Sequence, residues 1–177
     1  MARLTKHIIF LTAASLMLAA NFACGSDDGC EGNQSSLPLA GFYSSQSKSQ
    51  ITIDSLTIYG IGMPGDTTIV DTATVSQAYL PLNIADNVSQ FVFRYDQSAL
   101  AALRLSDTIT VSYKSSPYFH SEDCGAMLVY DIDDYTTTHN LIDSVIIPTR
   151  HIDNTDRENI QIYFRTSETG EEDGTEE

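Results

Sequence analysis

From residue 37 onward, apolar and polar positions alternate with a period of two over most of the chain. The pattern is plainest in Ile51-Thr52-Ile53-Asp54-Ser55-Leu56-Thr57-Ile58-Tyr59, in Gln90-Phe91-Val92-Phe93-Arg94-Tyr95, and in Asp107-Thr108-Ile109-Thr110-Val111-Ser112-Tyr113. Such alternation places every second side chain on one face of a half-buried strand. Shorter stretches of the same kind run from Leu37 to Tyr43, Thr67 to Asp71, Ala78 to Ile84, Ala126 to Asp131, Ser144 to Pro148 and Asn159 to Phe164. They are rich in Ile, Val, Thr, Tyr and Phe, which fit a pleated surface. Pro64-Gly65 suits the centre of a type II turn, and Asp86-Asn87 and Asp153-Asn154 suit loops. Only Gln97 to Leu105 carries helical content, a turn or two with Asp96 as a candidate N-cap. Eight or so short strands at this spacing predict an all-β fold over residues 36–165. The expected form is an antiparallel β-sandwich, immunoglobulin-like, with a jelly roll as the alternative.

The first two dozen residues follow another rule. Arg3 and Lys6 precede an apolar run from Ile8 to Ala20, interrupted only by Thr12 and Ser15, and small residues follow. This is the form of an export signal, residues 1–23, and the run is well short of the roughly twenty residues of a membrane-spanning helix. Asn21-Phe22-Ala23-Cys24-Gly25-Ser26 resembles a bacterial lipobox, with a small residue ahead of the cysteine that takes the lipid, although Asn21 stands where Leu is usual. Ser26, Asp27 and Asp28 resemble the acidic export signal that follows the lipidated cysteine of surface lipoproteins in Bacteroidota. The expected location is the outer membrane, on either the cell-surface or the periplasmic face.

The cysteine count bears on the same point. Three cysteines leave one unpaired in an oxidising compartment. With lipid on Cys24, the remaining two, Cys30 and Cys124, are free to form a disulfide that closes a loop of about 95 residues. Two buried free thiols are the alternative reading, since sequence alone does not bring two Cα atoms within bridging distance.

Charge narrows the function classes. The chain has 24 acidic against 9 basic side chains, a formal net charge of −15. Without a basic stripe there is nothing to displace counterions from phosphates, which argues against nucleic-acid binding, and a polybasic lipid contact fails for the same reason. The excess is unevenly placed. Residues 24–35 form an acidic tether, and residues 166–177 hold six carboxylates with no apolar side chain after residue 167, the composition of a disordered tail.

Asp followed by Ser or Thr and then a small or aliphatic residue resembles an acceptor used for O-glycosylation of exported proteins in Bacteroides relatives. It marks Ser55, Thr67, Thr72, Thr108 and Ser144 as candidates. An attached glycan requires exposure, which favours Thr67 and Thr72 beside the Pro64-Gly65 turn, whereas Asp ahead of a Thr-Ile strand is also an ordinary way to begin a strand.

Catalytic patterns are thin. Gly60-Ile61-Gly62-Met63-Pro64-Gly65 matches a dinucleotide fingerprint, but a turn and another strand follow it where a helix N-terminus is needed. Asp131, Asp133 and Asp134 are weak candidates for calcium. An EF-hand loop would need an oxygen ligand at Tyr135 and a glycine after it, and a solvated strand edge accounts for the three. His120, Glu122 and Asp123 lie beside Cys124, while His139 and His151 are remote in sequence. No nucleophile elbow is present, so no enzyme activity, cofactor or metal is expected.

Cys30 with Leu37-Pro38-Leu39, Asp107-Thr108-Ile109 with Tyr113, Cys124-Gly125, and Ile160-Gln161-Ile162-Tyr163-Phe164 together resemble short exported lipoproteins of Bacteroidota classed as a domain of unknown function. The resemblance covers nearly all of the mature domain. It implies association with the outer membrane and work alongside a β-barrel partner, and it carries no catalytic residues. The expected role is a lipid-anchored, non-catalytic accessory or structural subunit. A surface module binding glycans or another ligand is the first alternative, though no Trp is present to stack on sugars. Calcium-stabilised adhesion is the second. Oligomeric state is left open.

Overall fold

The computed structural model describes residues 35–62, 67–121 and 125–166, apart from the side chains of residues 120 and 121. Ten strands run through them: β1 (Leu39–Ser44), β2 (Ile53–Ile61), β3 (Thr68–Val75), β4 (Gln77–Tyr79), β5 (Val88–Tyr95), β6 (Ser106–Ser121), β7 (Gly125–Thr137), β8 (Ile142–Ile146), β9 (His151–Ile152) and β10 (Glu158–Phe164). They form two sheets, one of order β4-β1-β10-β8 and one of order β3-β2-β5-β6-β7-β9. The all-β sandwich expected from the alternation is what the chain adopts. With four and six strands it is larger than the four-plus-three of a constant-type immunoglobulin domain.

The sheets face each other through the apolar members of the alternation. Phe42 of the smaller sheet packs edge-on against Phe93 of the larger, ring centroids 6.3 Å apart, and against Phe164 at 5.6 Å. Ile58, Phe91, Ile109, Ile142, Ile160 and Ile162 fill the space around them and are almost fully buried. This layer is the core between the two sheets, with side chains from both inner faces interleaved.

Three departures from the expected pattern have local causes. The pairing is antiparallel except between β1 and β10, which run parallel from Leu39↔Glu158 to Ser44↔Phe164. Ala78 to Ile84 is paired only as far as Tyr79. Beyond it Leu80, whose N–H still donates to the Pro38 carbonyl at 2.9 Å, and Leu82 are buried on the way to the loop before β5. Finally, Asp96 caps no helix. The helical turn found here, Ala101–Leu103, follows Leu100 and has no side-chain cap, while Asp96 accepts hydrogen bonds from Arg94 Nε (2.8 Å) and Thr57 Oγ1 (2.6 Å).

β2 and β3 pair irregularly, with register shifts between Ile53 and Leu56, Leu56 and Ile58, and Ile58 and Tyr59. Ser55 and Thr72 sit in these bulges with φ of +48° and +44°. A β-branched residue there carries strain. Thr57 Oγ1 holds the kink by accepting from the Thr72 backbone N–H at 3.1 Å.

Candidate functional site

The most built-up part of the molecule is the beginning of β6. Asp107 is fully buried. Its Oδ1 accepts from Asn140 N–H (2.7 Å) and Thr138 Oγ1 (2.7 Å), and its Oδ2 accepts from Leu141 N–H (2.7 Å), Ile142 N–H (3.0 Å) and the Tyr95 hydroxyl (2.8 Å). Three successive backbone donors and two hydroxyls converge on one carboxylate. Burial by itself raises the pKa of such a group, but the bonds from Ile142, Asn140, Thr138 and Leu141 outweigh it and hold the carboxyl below its ordinary value. Tyr95 is pushed strongly upward, first by burial and then by the charge and the hydrogen bond of Asp107. The pair fixes the loop before β8 against β5 and β6.

That loop forms one wall of a cleft of about 470 Å³ at the end of the sandwich where β10 finishes. Ile51, Ile53, Leu100, Leu141, Phe164 and Tyr95 give it an apolar lining, and Thr52, Gln97, Arg165 and Thr166 give it a few polar groups. Arg165 is already engaged: Nη1 donates to the carbonyls of His139 (2.7 Å) and Asn140 (3.1 Å), and Nε lies 3.4 Å from Asp143. An apolar concavity of this size with few polar groups is suited to holding a ligand or a partner's side chain. The Asp107 clamp acts on it indirectly, by positioning Tyr95 and Leu141.

The opposite end is shaped by β6 and β7, which are sixteen and thirteen residues long. β5 pairs with β6 only from Ser106 to Ser112, and β9 pairs with β7 only at Tyr130 and Asp131. Beyond those points the hairpin pairs with itself, from Ser116↔Val129 out to Ser121↔Gly125. It forms a two-stranded arm bearing Tyr118, 48% exposed, and Phe119, 64% exposed. At its base a smaller groove is lined by Ser36, Leu37, Leu82, Ile84, Leu128 and Tyr130, and the buried Ser36 hydroxyl has no hydrogen-bond partner.

A third polar arrangement lies on the outer face of the smaller sheet. Tyr43 donates to both oxygens of Glu158 (3.0 and 2.8 Å), Gln161 Nε2 donates to Oε1 (2.7 Å), and Lys48 sits 4.8 Å over the Tyr163 ring. A Cβ added at Gly41 would overlap Glu158 Oε2, so the glycine makes room for this carboxylate.

The residues singled out from the sequence are scattered over these regions. Cys24, Ser26, Asp27, Asp28, Cys30 and Cys124 lie outside the described residues, as do Glu122 and Asp123. Among the glycosylation candidates Thr67 and Thr72 are exposed, whereas Ser55, Thr108 and Ser144 are half-buried. The Asp107-Thr108 pair has a structural use, because its aspartate is the buried clamp. Asp131, Asp133 and Asp134 do not converge: Asp131 meets His151 at 2.8 Å, Asp133 meets Lys114 at 2.9 Å, and Asp134 accepts from the Tyr135 backbone at 2.8 Å. Among the described residues no three His, Cys, Asp or Glu side chains are grouped to hold a metal ion. His139 lies apart from His151, against the Ile142 carbonyl. β2 continues through Gly60 and Ile61 and β3 begins at Thr68, so the glycine motif adjoins a strand on each side.

Neither the clamp nor the arm was singled out from the sequence. The arm had a faint signal in Pro117-Tyr118-Phe119, apolar residues continuing past Tyr113 across the polar Lys114-Ser115-Ser116.

A family of unknown function, DUF6452, matches residues 55–164, from β2 to the end of β10. That is more than half of the chain. The chain belongs to this family. The DUF6452 match thus includes the Asp107 clamp, the arm and most of the cleft, and it leaves β1 outside. No curated protein and no solved structure matches the chain.

Proposed function

We propose that this DUF6452 protein is an outer-membrane lipoprotein, anchored through Cys24 once residues 1–23 are removed. Its β-sandwich works by contact, as an accessory or structural subunit of an outer-membrane partner such as a β-barrel protein. The supporting observation is where the chain enters the sandwich. Ser35 and Ser36 lie at the base of the arm, at the end opposite the cleft. An anchor ahead of them would hold the arm end toward the membrane and leave the cleft facing away. In this reading Cys30 and Cys124 form the disulfide that ties tether to domain. The test is extraction of the native protein in mild detergent followed by size separation. Co-elution with an outer-membrane protein is expected, and recovery only as free monomer overturns the proposal.

The cleft favours a second reading, a surface module that binds a glycan or another ligand in its apolar mouth. Specific retention on a glycan array, lost on Leu141→Asp substitution, would rank it first.

A further inference from the structure

Exposed apolar side chains are unevenly distributed between the two ends of the sandwich. β6 begins beside Leu141, whose carbonyl accepts from Arg165 N–H at 2.8 Å, so Ser106 marks the cleft end and Ser121 the arm end. β5 starts at Val88 opposite Ser112, and β2 finishes at Ile61 opposite Gln90. Ile61, Ile84, Val88, Tyr118 and Phe119, all at least 40% exposed, therefore gather toward the arm end. Among the described residues with large exposed apolar side chains, Leu103 is the one in the helical turn at the cleft end.

The arm explains the asymmetry. By the period of two, Pro117 and Phe119 stand on the same face of β6 as Tyr113, and they pair with Leu128 and Ala126 of β7. This is the inward face of the larger sheet carried past the point where the smaller sheet covers it. Tyr113 is 1% exposed and Phe119 is 64% exposed. Residues 25–34 carry no apolar side chain other than Cys30. The patch also involves far fewer than the twenty to thirty residues a side of a stable protein interface. A second copy of the chain or a stand-alone protein partner would therefore be held poorly. A lipid surface has no such size requirement when the domain is already tethered to it. Ten residues lie between Cys24 and Ser35, eleven steps of the backbone and a reach of at most about 40 Å. Confinement of that kind makes a few inserted side chains count.

We infer that the inner face of the arm, through Phe119 and Pro117 with Ile84 beside it, rests on the lipid surface and orients the sandwich end-on to the membrane. This rests on the anchoring proposed above. The test uses the full mature protein, lipidated in its native host and reconstituted in vesicles of phosphatidylethanolamine and phosphatidylglycerol. The chain has no tryptophan, so Phe119→Trp, Ile84→Trp and Leu103→Trp each supply a single reporter. Lipids brominated high in the acyl chain should quench the reporters at 119 and 84 at least twofold and shift their emission to the blue, with no change at 103. Position 84 serves if the variant at 119 does not fold. Equal quenching at both ends, or none at 119 and 84 in protein whose intact mass carries lipid on Cys24, overturns the orientation. A mass without lipid overturns the anchoring itself, and the orientation with it.

Discussion

At the scale of single residues, Asp107 is the position on which most depends. Asp107→Asn keeps the size of the side chain but sets an amide N–H₂ against backbone donors that need an acceptor. The expected loss is about 3 kcal/mol, measured by urea unfolding at pH 7, because buried donors are left unpaired and a charge-assisted cluster is lost. The same group gives a pH dependence. Its folded-state pKa lies below the unfolded value, so its contribution is complete above the unfolded pKa of about 4 and declines as pH falls through the folded one. The stability gap between the native chain and Asp107→Asn should therefore narrow on going from pH 7 to pH 3. A gap that stays constant would mean the carboxylate is not held in its charged form. Tyr95→Phe, which removes one of the five donors, should cost about 1 kcal/mol. Gly41 is a second such position. Gly41→Ala should displace Glu158 and lose about 1 kcal/mol through the Tyr43 bonds, and the same change in a Glu158→Ala background should cost much less. A double-mutant cycle in urea reads the difference directly.

At the scale of elements, the alternation in residues 51–59, 90–95 and 107–113 made those strands legible, since period-two burial is written in consecutive residues. Partners were not. Nothing local in Leu39-Ala40-Gly41-Phe42 shows that its neighbour is β10 running parallel, more than a hundred residues away. The clamp was hidden for the same reason: the donors to Asp107 come from residues 95 and 138–142, and only the fold collects them. The arm was obscured by Lys114-Ser115-Ser116-Pro117, whose polar and turn-forming residues read as the end of a strand. They continue as strand because each is paired across the hairpin by β7. The arm contributes little to holding the sandwich together. Replacing residues 118–127 with an Asn-Gly turn, compared against a Cys30→Ser, Cys124→Ser parent, should move the thermal midpoint by less than about 3 °C. A drop of 10 °C would mean that the arm is part of the core.

For the whole molecule, the two sheets meet through Phe42, Phe93 and Phe164, so the sandwich should unfold as one unit. Phe42→Ala removes the ring that touches both others and should cost about 3–5 kcal/mol, seen as a shift in denaturant midpoint with an unchanged slope. The proposed Cys30–Cys124 bridge is expected to add about 4–5 kcal/mol through its long loop, less any strain. Reduction should lower the melting temperature of the native protein and leave a Cys30→Ser, Cys124→Ser chain unaffected. The period-two alternation is thus what specifies the sandwich, whereas much of the charge excess lies in the segments before and after it and bears little on the domain itself.

The parallel pairing of β1 with β10 also bears on how the chain can fold as it is delivered. β1 finds its antiparallel neighbour β4 within some forty residues, but its other edge has no partner until β10 arrives. A chain emerging N-terminus first must therefore carry an open strand edge until residues 158–164 have followed, and β10 seals it. Premature termination anywhere before Glu158 would leave a sticky fragment instead of a smaller stable domain.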